Sequence, residues 1–435
     1  MDVDSTDHPE ELELETLTDS ELDPFIDHVQ HDVKIPTRKE ALTARAQFLA
    51  LCWSLFLIGW TDGSIGPLLP RIQKFYDVGF GSVSWIFVLG CTGVVLGALA
   101  NMPLSDRLGL GNMLVLGSLF QIAAFSIQFL ELSFPIFVLS FGLGGIGIAF
   151  QDASANGFIA ILQNDSEYKM GFIHAAYGLG ALAAPLSATH FSQLTHWSSH
   201  YLVSLSLALS NISILAGVFR FSAQDECLQQ AGETMPNKTE EIQHDNKFGQ
   251  LMKYKSVHFL ALFLVVYIGV EVTIGGWIVT FLMIVRGGGP SSGYVSTGFF
   301  GGLTLGRVIL VEVTKKIGSI YAIYVYTLLA IFFQLIVWLL PSFTGGAISV
   351  SIIGILLGPM YPIAMNHTAR ILPLHLVNGT IGWISACGAA GSALLPFVTG
   401  TVASKLGIGS LEPLVLVMMI LLGIVWFLVP KEPAG

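Results

Sequence analysis

From Gln47 onward the chain is a succession of apolar runs of near-spanning length, each separated from the next by a short polar break. A helix needs about 20 residues to cross the hydrocarbon core of a bilayer. Twelve runs meet that length, at approximately 46–70, 80–103, 112–131, 134–162, 170–192, 200–221, 257–284, 293–313, 319–340, 345–371, 379–403 and 411–429. They predict an all-α membrane protein with twelve transmembrane helices. Gly and Pro recur inside the runs, which spanning helices tolerate where neighbours satisfy the freed backbone groups. The longest polar stretch, 222–255, divides the runs six and six. The expected organisation is a disordered acidic head (1–44), an N-terminal six-helix bundle (45–221), a solvated linker (222–255) and a C-terminal six-helix bundle (256–435). The head has no basic region followed by an apolar run, as a signal peptide would.

Composition agrees with this pattern and removes the soluble alternatives. Charged residues are 11% of the chain, against roughly 25% in soluble domains. The formal net charge of −10 is local: residues 1–33 hold twelve acids and no Lys or Arg, so it says nothing about nucleic acid, and no nucleic-acid partner is expected. Basic residues fix the orientation. With the N-terminus cytoplasmic, fifteen Lys and Arg fall inside and only Arg71, Lys74, Arg286 and Lys405 outside, with Arg307 left within a helix. Both termini and the linker are therefore expected in the cytoplasm, where the acidic head has room to recruit partners. The plasma membrane is the expected location ahead of the vacuole.

The two halves read as repeats of each other. Gly97 and Gly109 recur as Gly306 and Gly318, 209 positions later, and Gly180 and Pro185 recur as Gly391 and Pro396, 211 positions later. Two pseudo-symmetric six-helix bundles point to a transporter whose site lies at their interface near the midplane.

Ionisable groups inside the apolar runs are the candidates for function, because each is costly there. Asp62 in the first run and Glu271 in the seventh stand 209 positions apart. Asp152 precedes Asn156 by one helical turn, so both share a face; the pair suits a proton or a polyhydroxylated ligand, or else an interhelical clamp. His174 opens the fifth run, as a proton relay or as a wet group at a helix end. Arg307 requires an anionic partner, for which Glu271 and Glu312 are candidates. Asn366 and His367 follow Gly358-Pro359-Met360-Tyr361-Pro362, where two prolines imply a bent helix. Trp60, Tyr177, Trp277, Tyr361 and Trp383 offer faces for a sugar ring, or serve as interface belt and packing. His196 and His200 lack a third ligand, so no metal is expected. No phosphate-binding loop, nucleophile elbow or His-Glu-x-x-His motif is present, so neither an enzyme nor a cofactor is expected. The four Cys (Cys52, Cys91, Cys227, Cys387) are scattered without paired spacing.

Pro103-Leu104-Ser105-Asp106-Arg107-Leu108-Gly109, between the second and third runs, resembles the loop signature of the major facilitator superfamily. Met102 stands where the leading Gly belongs, and Leu110, Gly111 and Asn112 where basic residues usually follow. The resemblance implies a gating role for Asp106, Arg107 and Gly109. Within that superfamily, Thr61-Asp62-Gly63-Ser64-Ile65-Gly66-Pro67-Leu68-Leu69-Pro70 and Gln151-Asp152-Ala153-Ser154-Ala155-Asn156-Gly157-Phe158 resemble the fucose:proton symporter branch. What the branch implies is proton coupling and sugar recognition at Asp62 and Asp152, with Asn156 beside the sugar. His174 stands where the branch has a sugar-contacting Gln, which implies a substrate other than fucose. The acidic head and the linker suggest a fungal member. The expectation is thus a secondary transporter of a small polar solute, a sugar or polyol, with protons. Asp62, Asp152 and Glu271 are its proton-coupling candidates, and Asn156, His174, Tyr177, Trp277, Tyr361 and Asn366 its substrate-binding ones. An exporter or facilitator of amphipathic metabolites and a non-transporting sensor are the alternatives.

Overall fold

The structure, a computed structural model, describes residues 37–163, 165–233 and 247–431. Most of the expected head and the middle of the expected linker lie outside these residues. The first half contributes α1 (Arg38–Tyr76), α2 (Trp85–Leu108), α3 (Leu110–Phe129), α4 (Phe134–Ala160), α5 (Ser166–Ser192) and α6 (Ser199–Phe219). The second contributes α7 (Lys255–Ile284), α8 (Tyr294–Ile317), α9 (Ser319–Leu339), α10 in two pieces (Phe343–Leu357 and Met360–Ile371), α11 (Leu374–Leu406) and α12 (Leu411–Leu428). The break in α10 falls at Gly358-Pro359, where the sequence places a bend. Among the described residues, eleven helical spans are long and apolar enough to cross a membrane. The twelfth is α5, with 27 residues. Glu167, Lys169, His174 and Tyr177 lower its hydropathy, yet it packs along α1 of its own half and against α8 of the other.

Two boundaries differ from those expected. The first helix begins at Arg38 rather than near 46, because Thr37 and Glu40 form a capping box: Glu40 N donates to Thr37 Oγ1 at 3.3 Å and Thr37 N donates to Glu40 Oε2 at 2.7 Å. Such reciprocal caps satisfy two otherwise orphaned donors. The start of the linker is also structured. A short helix, Gln224–Gln230, docks on the N-terminal half, where Gln47 Nε2 donates to the Cys227 carbonyl at 3.1 Å. Glu233 just beyond it accepts from Gln163 N at 3.2 Å. Burial, with a smaller push from Glu226, raises the Cys227 thiol to about 11, so this cysteine is a packing residue and not a nucleophile.

The helices pair in the same way in both halves. In the first, α1 packs on α5 and α6, α4 on α2 and α3, and α3 on α6; in the second, α7 packs on α11 and α12, α10 on α8 and α9, and α9 on α12. The equivalence extends to single atoms. Gly180 of α5 presses on the Phe56 carbonyl of α1 so closely that a methyl group would overlap it, and Gly391 of α11 presses likewise on Val265 of α7. Gly97 lies against Ile146, and Gly306 against Ile355. In both of these relations the partners are displaced by 209 positions. Gly109 and Gly318 close α2 and α8 with φ of 79° and 89°, a conformation that costs an L side chain and suits glycine. Without a hydrophobic drive between helices in lipid, such close backbone approach is the main attraction available.

Buried polar ties add register within each half. Ser54 Oγ donates to Asn211 Oδ1 at 2.9 Å, and Gln151 Nε2 donates to Ser118 Oγ at 2.7 Å and to the Leu114 carbonyl at 3.1 Å, linking α1, α3, α4 and α6. In the second half Gln334 of α9 donates to the buried carboxylate of Glu412 on α12. Gly59→Val would drive a branched side chain into the Tyr177 carbonyl on α5 and is expected to destabilise by roughly 1–3 kcal/mol or more. Gly217→Val, whose Cβ meets open space on α6, is expected to leave thermal unfolding of the detergent-purified protein unchanged. Equal losses in the two variants would contradict the packing described.

Candidate functional site

A cavity of about 890 Å³ lies between the two halves. It reaches from mid-depth to the end of the molecule that carries both termini, where Met170 and Gly171 in the second turn of α5 and Met365 and Asn366 in the last turns of α10 form its mouth. Asp62 and Glu271 come from the leading helix of each half, and Asp152, His174, Tyr177, Tyr267, Arg307 and Tyr361 complete a polar belt. Three carboxylates thus share the cavity with one guanidinium.

Local packing explains the placement. Asp62 lies between Gly59 and Gly63, the two positions at which the backbone of α5 presses onto α1. That approach brings the Tyr177 hydroxyl to Asp62, where it donates to Oδ2 at 2.9 Å. Asp62 is open to the cavity. Asn156 Nδ2 donates to Asp152 Oδ1 at 2.9 Å. Tyr361 follows the α10 break and shares a 3.1 Å hydrogen bond with Ser385 of α11. Tyr267 stands one turn before Glu271, in electrostatic contact with both Glu271 and Arg307, and donates to the Leu357 carbonyl at 3.2 Å.

Several expectations need correction. Trp277 is not in the cavity: it is fully buried, its Nε1 donates to the Pro396 carbonyl at 3.1 Å, and its ring packs against Phe80 and Phe87. Asn156 is not a cavity-lining residue; its amide is turned back onto Asp152. Trp60 is likewise internal, donating to Ser204 Oγ at 2.9 Å and stacking on His200. His200 is not on an outer loop but in the first turn of α6, buried, with its ring nitrogens hydrogen-bonded to Ser64 and Ser187. Glu312 does not serve Arg307; it pairs with Lys315 at 2.7 Å on an exposed face. Among the described residues Arg307 has no carboxylate within 4.0 Å, and its Nε donates no hydrogen bond. Glu271 therefore does not grip Arg307 directly; the two share Tyr267 as a common neighbour. Asp106 and Arg107 are exposed beyond the cavity, at the end that carries the termini. Sequence reasoning passed over Tyr267, Gln121 and Gln128, all of which line the cavity. The signal for Tyr267 was its one-turn spacing to Glu271; for the glutamines, two amides seven residues apart in an apolar run.

The opposite end is sealed. Gly66 of α1 meets the Gly275 carbonyl of α7, two positions related by the 209-residue displacement, so the helices cross at the pseudo-twofold axis. Gly81 N donates to Ser404 Oγ at 2.7 Å, and Gly293, at the start of α8, packs on Thr189 of α5.

A family model described as Major Facilitator Superfamily matches residues 51–376. The chain belongs to the major facilitator superfamily. Curated relatives include Bypass of stop codon protein 6 of Saccharomyces cerevisiae, 26% identical over 88% of this chain and 82% of the relative, which agrees with the fungal character expected from the sequence. A glucose/mannose transporter of Bacillus subtilis is 21% identical over 79% of this chain and 85% of its own. Among solved structures, the fucose:proton symporter of E. coli shares the fold with a TM-score of 0.59 at 14% identity, covering 91% of this chain and 100% of that one.

As a superfamily transporter, the protein is captured with its cavity open at the end carrying the termini. Reaching the opposite state requires the Gly81–Ser404, Thr189–Gly293 and Gly66–Gly275 contacts to part while the mouth closes. A Cβ on Gly81 would lie 3.9 Å from Ser404 Cβ, within the range of about 3.5–4.5 Å that a disulfide needs. The double variant Gly81→Cys/Ser404→Cys is expected to cross-link on mild oxidation and to stop transport, with reductant restoring it. Full transport by the cross-linked protein would show that this seal does not open.

Proposed function

We propose that the protein moves a sugar or polyol across the membrane together with protons, by alternating exposure of the cavity between its two bundles. The observation that carries this reading is the gathering of Asp62, Asp152 and Glu271 around a single Arg307 in one water-accessible chamber. An uncompensated carboxylate is costly to carry through a low-dielectric region. Two of the three have no arginine to balance them, and proton binding restores neutrality when the loaded site turns over. Hydroxyls of Tyr177, Tyr267 and Tyr361, with Asn366 and His174, supply donors and acceptors of the kind that a polyhydroxylated solute requires. The names of the glucose/mannose and fucose:proton relatives support the same class. The fifteen-to-four distribution of Lys and Arg orients the open mouth toward the cytoplasm.

Asp62 and Glu271 hold matching positions in the two repeats but different neighbours. Asp62 takes a hydrogen bond from Tyr177, whereas Glu271 shares Tyr267 with Arg307. We assign coupling to Asp62 and gating to Glu271 with Arg307. In proteoliposomes, a gradient of one pH unit sustains about tenfold accumulation at one proton per solute. Asp62→Asn is expected to reduce accumulation of radiolabelled sugar to equal concentrations while solute exchange continues. Glu271→Gln is expected to slow both modes. Concentrative uptake by Asp62→Asn with unchanged pH dependence would refute the assignment.

A second reading rests on the apolar part of the wall, where Phe87, Phe125, Phe141, Phe300, Met170 and Met365 face the cavity. That surface suits export of amphipathic metabolites. Extrusion of such compounds by a protein that accumulates no sugar or polyol under any pH gradient would favour it.

A further inference from the structure

The contacts that seal one end come in repeat-related sets. Gly66 of α1 meets Gly275 of α7, its own counterpart 209 positions on. Gly293 at the start of α8 packs on Thr189 of α5, and Gly400 of α11 packs on Ser84 just before α2. Thr189 and Gly400 are 211 positions apart, and Ser84 and Gly293 are 209 apart, the displacements that relate α5 to α11 and α2 to α8. A twofold interface repeats each contact in this way, and residues on its axis meet their own counterparts. Every one of these contacts sets a glycine against a glycine or a short hydroxyl side chain.

The open end carries glycines with no such partner. Gly157 near the end of α4, Gly171 of α5 and Gly382 of α11 lie inside helices, are exposed, and have open space among the described residues where a Cβ would stand. Gly171 and Gly382 are again 211 positions apart. A glycine inside a helix weakens it relative to alanine, and the open-mouthed state gives these three no neighbour that needs a glycine. The counterpart of Gly157, 209 positions on, is Asn366, which lines the mouth. That displacement governs α4 and α10 throughout: Gly145 presses on the Gly90 carbonyl, and Gly354 on the Phe299 carbonyl. About one and a half turns deeper stand Asp152 and Tyr361, also counterparts. Both line the cavity, Tyr361 is within electrostatic reach of Asp152, and its hydroxyl shares a 3.1 Å hydrogen bond with Ser385 Oγ. Among the described residues α4 does not pack on the second piece of α10, so at this end the counterparts are held apart.

We propose that the mouth closes by α4 meeting the second piece of α10 at counterpart positions, with Gly157 receiving the Asn366 side chain and the Tyr361 hydroxyl passing from Ser385 to the Asp152 carboxyl. The Gly157–Asn366 contact then has the composition of the seal, a glycine against a short polar side chain. Small residues are what allow helices to approach closely in lipid. Gly171 and Gly382 give α5 and α11 the same allowance. The α10 break at Gly358-Pro359 supplies the joint about which its second piece swings. The exchange at Tyr361 ties closure to a carboxylate of the polar belt. It does not rest on the sugar reading, because the two states belong to the transport cycle whatever solute is carried.

The test reads how often the seal opens, since two bundles rocking as bodies open one end as they close the other. Thr189 is fully buried in the seal. The rate at which a maleimide labels Thr189→Cys in the purified full-length protein in nanodiscs, followed by peptide mass, therefore reports the state with the mouth closed. Adding Gly157→Leu is expected to lower that rate by about tenfold or more while thermal unfolding stays unchanged or rises, because the open-mouthed state has room for the side chain. Gly217→Leu, placed on α6 where a Cβ also meets open space, is expected to leave the rate unchanged. Gly157→Ala is expected to lower it by about twofold and keeps the test decisive if the larger side chain prevents folding. Tyr361→Phe is expected to lower the rate roughly three- to tenfold, the scale of one neutral hydrogen bond. Ser385→Ala, which removes the partner of the open state, is expected to raise it. An unchanged rate in folded Gly157→Leu, or in Gly157→Ala where the larger variant does not fold, would overturn the gate. Shifts of the same sign in Tyr361→Phe and Ser385→Ala would overturn the hydroxyl exchange. The labelling needs no solute, so a failure of the sugar reading and a failure of the gate are told apart.

Discussion

Three carboxylates and a guanidinium sit at the middle of a helical bundle built to lie in hydrocarbon, and that placement constrains everything around them. Ionised groups are tolerable at such depth only where water, a partner or a proton reaches them. The protein meets the requirement by keeping two bundles apart at one end and in contact at the other, so that Asp62, Asp152, Glu271 and Arg307 face a common wet chamber. The polar residues of α5 belong to the same constraint. They make α5 the least apolar of the twelve spans, and two of them, His174 and Tyr177, line the cavity, with Tyr177 at Asp62.

The contact at the closed end is made of glycines. Gly66 and Gly275 let α1 and α7 cross at the axis, while Gly59, Gly63 and Gly180 let α1 and α5 run together as one unit. These two uses differ in mechanical consequence. Within a half, carbonyl-to-glycine packing continues along the helices and ties Asp62 to Tyr177 as a rigid pair. Between halves, the contacts run along α5 and α8 and where α1 meets α7 and α2 meets α11, and a bundle moving as a body can separate them without repacking either interior. Trp277 belongs with the second group: it fills the space among α7, α2 and α11 on the sealed side, where an aromatic ring adds area to a closed interface and not to a binding surface.

Symmetry supplies the scaffold, and departures from it supply the chemistry. The 209-residue displacement relates Gly66 to Gly275, Gly97 to Gly306 and Asp62 to Glu271, yet the two acids have different neighbours. Tyr177 serves Asp62, while Tyr267 is shared by Glu271 and Arg307. The same divergence sets two buried amides, Gln121 and Gln128, at the edge of the cavity in the N-terminal bundle, where the C-terminal one has Ala330 and Val337. A site made at the interface of two repeats can thus bind an asymmetric solute with an otherwise symmetric frame.

The sequence alone determined the class of the protein. Twelve apolar runs, their six-and-six division, the 209-residue repeat and the bias of Lys and Arg follow from bilayer thickness and the cost of charge in it, which act on each segment separately. For the same reason it singled out Asp62, Asp152 and Glu271, since a carboxylate in an apolar run is conspicuous wherever it points. Side-chain direction is a different matter. Trp277 and Tyr361 read alike as aromatics in apolar runs, and only the packing of α7 against α2 and α11 buries the first while the α10 break exposes the second. Arg307 had both Glu271 and the much nearer Glu312 as candidate partners in the chain; the tertiary structure gave Glu312 to Lys315 and left Arg307 facing the cavity. Gln121 and Gln128 drew no notice because an amide costs far less than a charge in an apolar run, and their place at the edge of the cavity depends on how the two bundles meet. Such voids and partners arise from contacts between segments far apart in sequence, so they were decided by the fold.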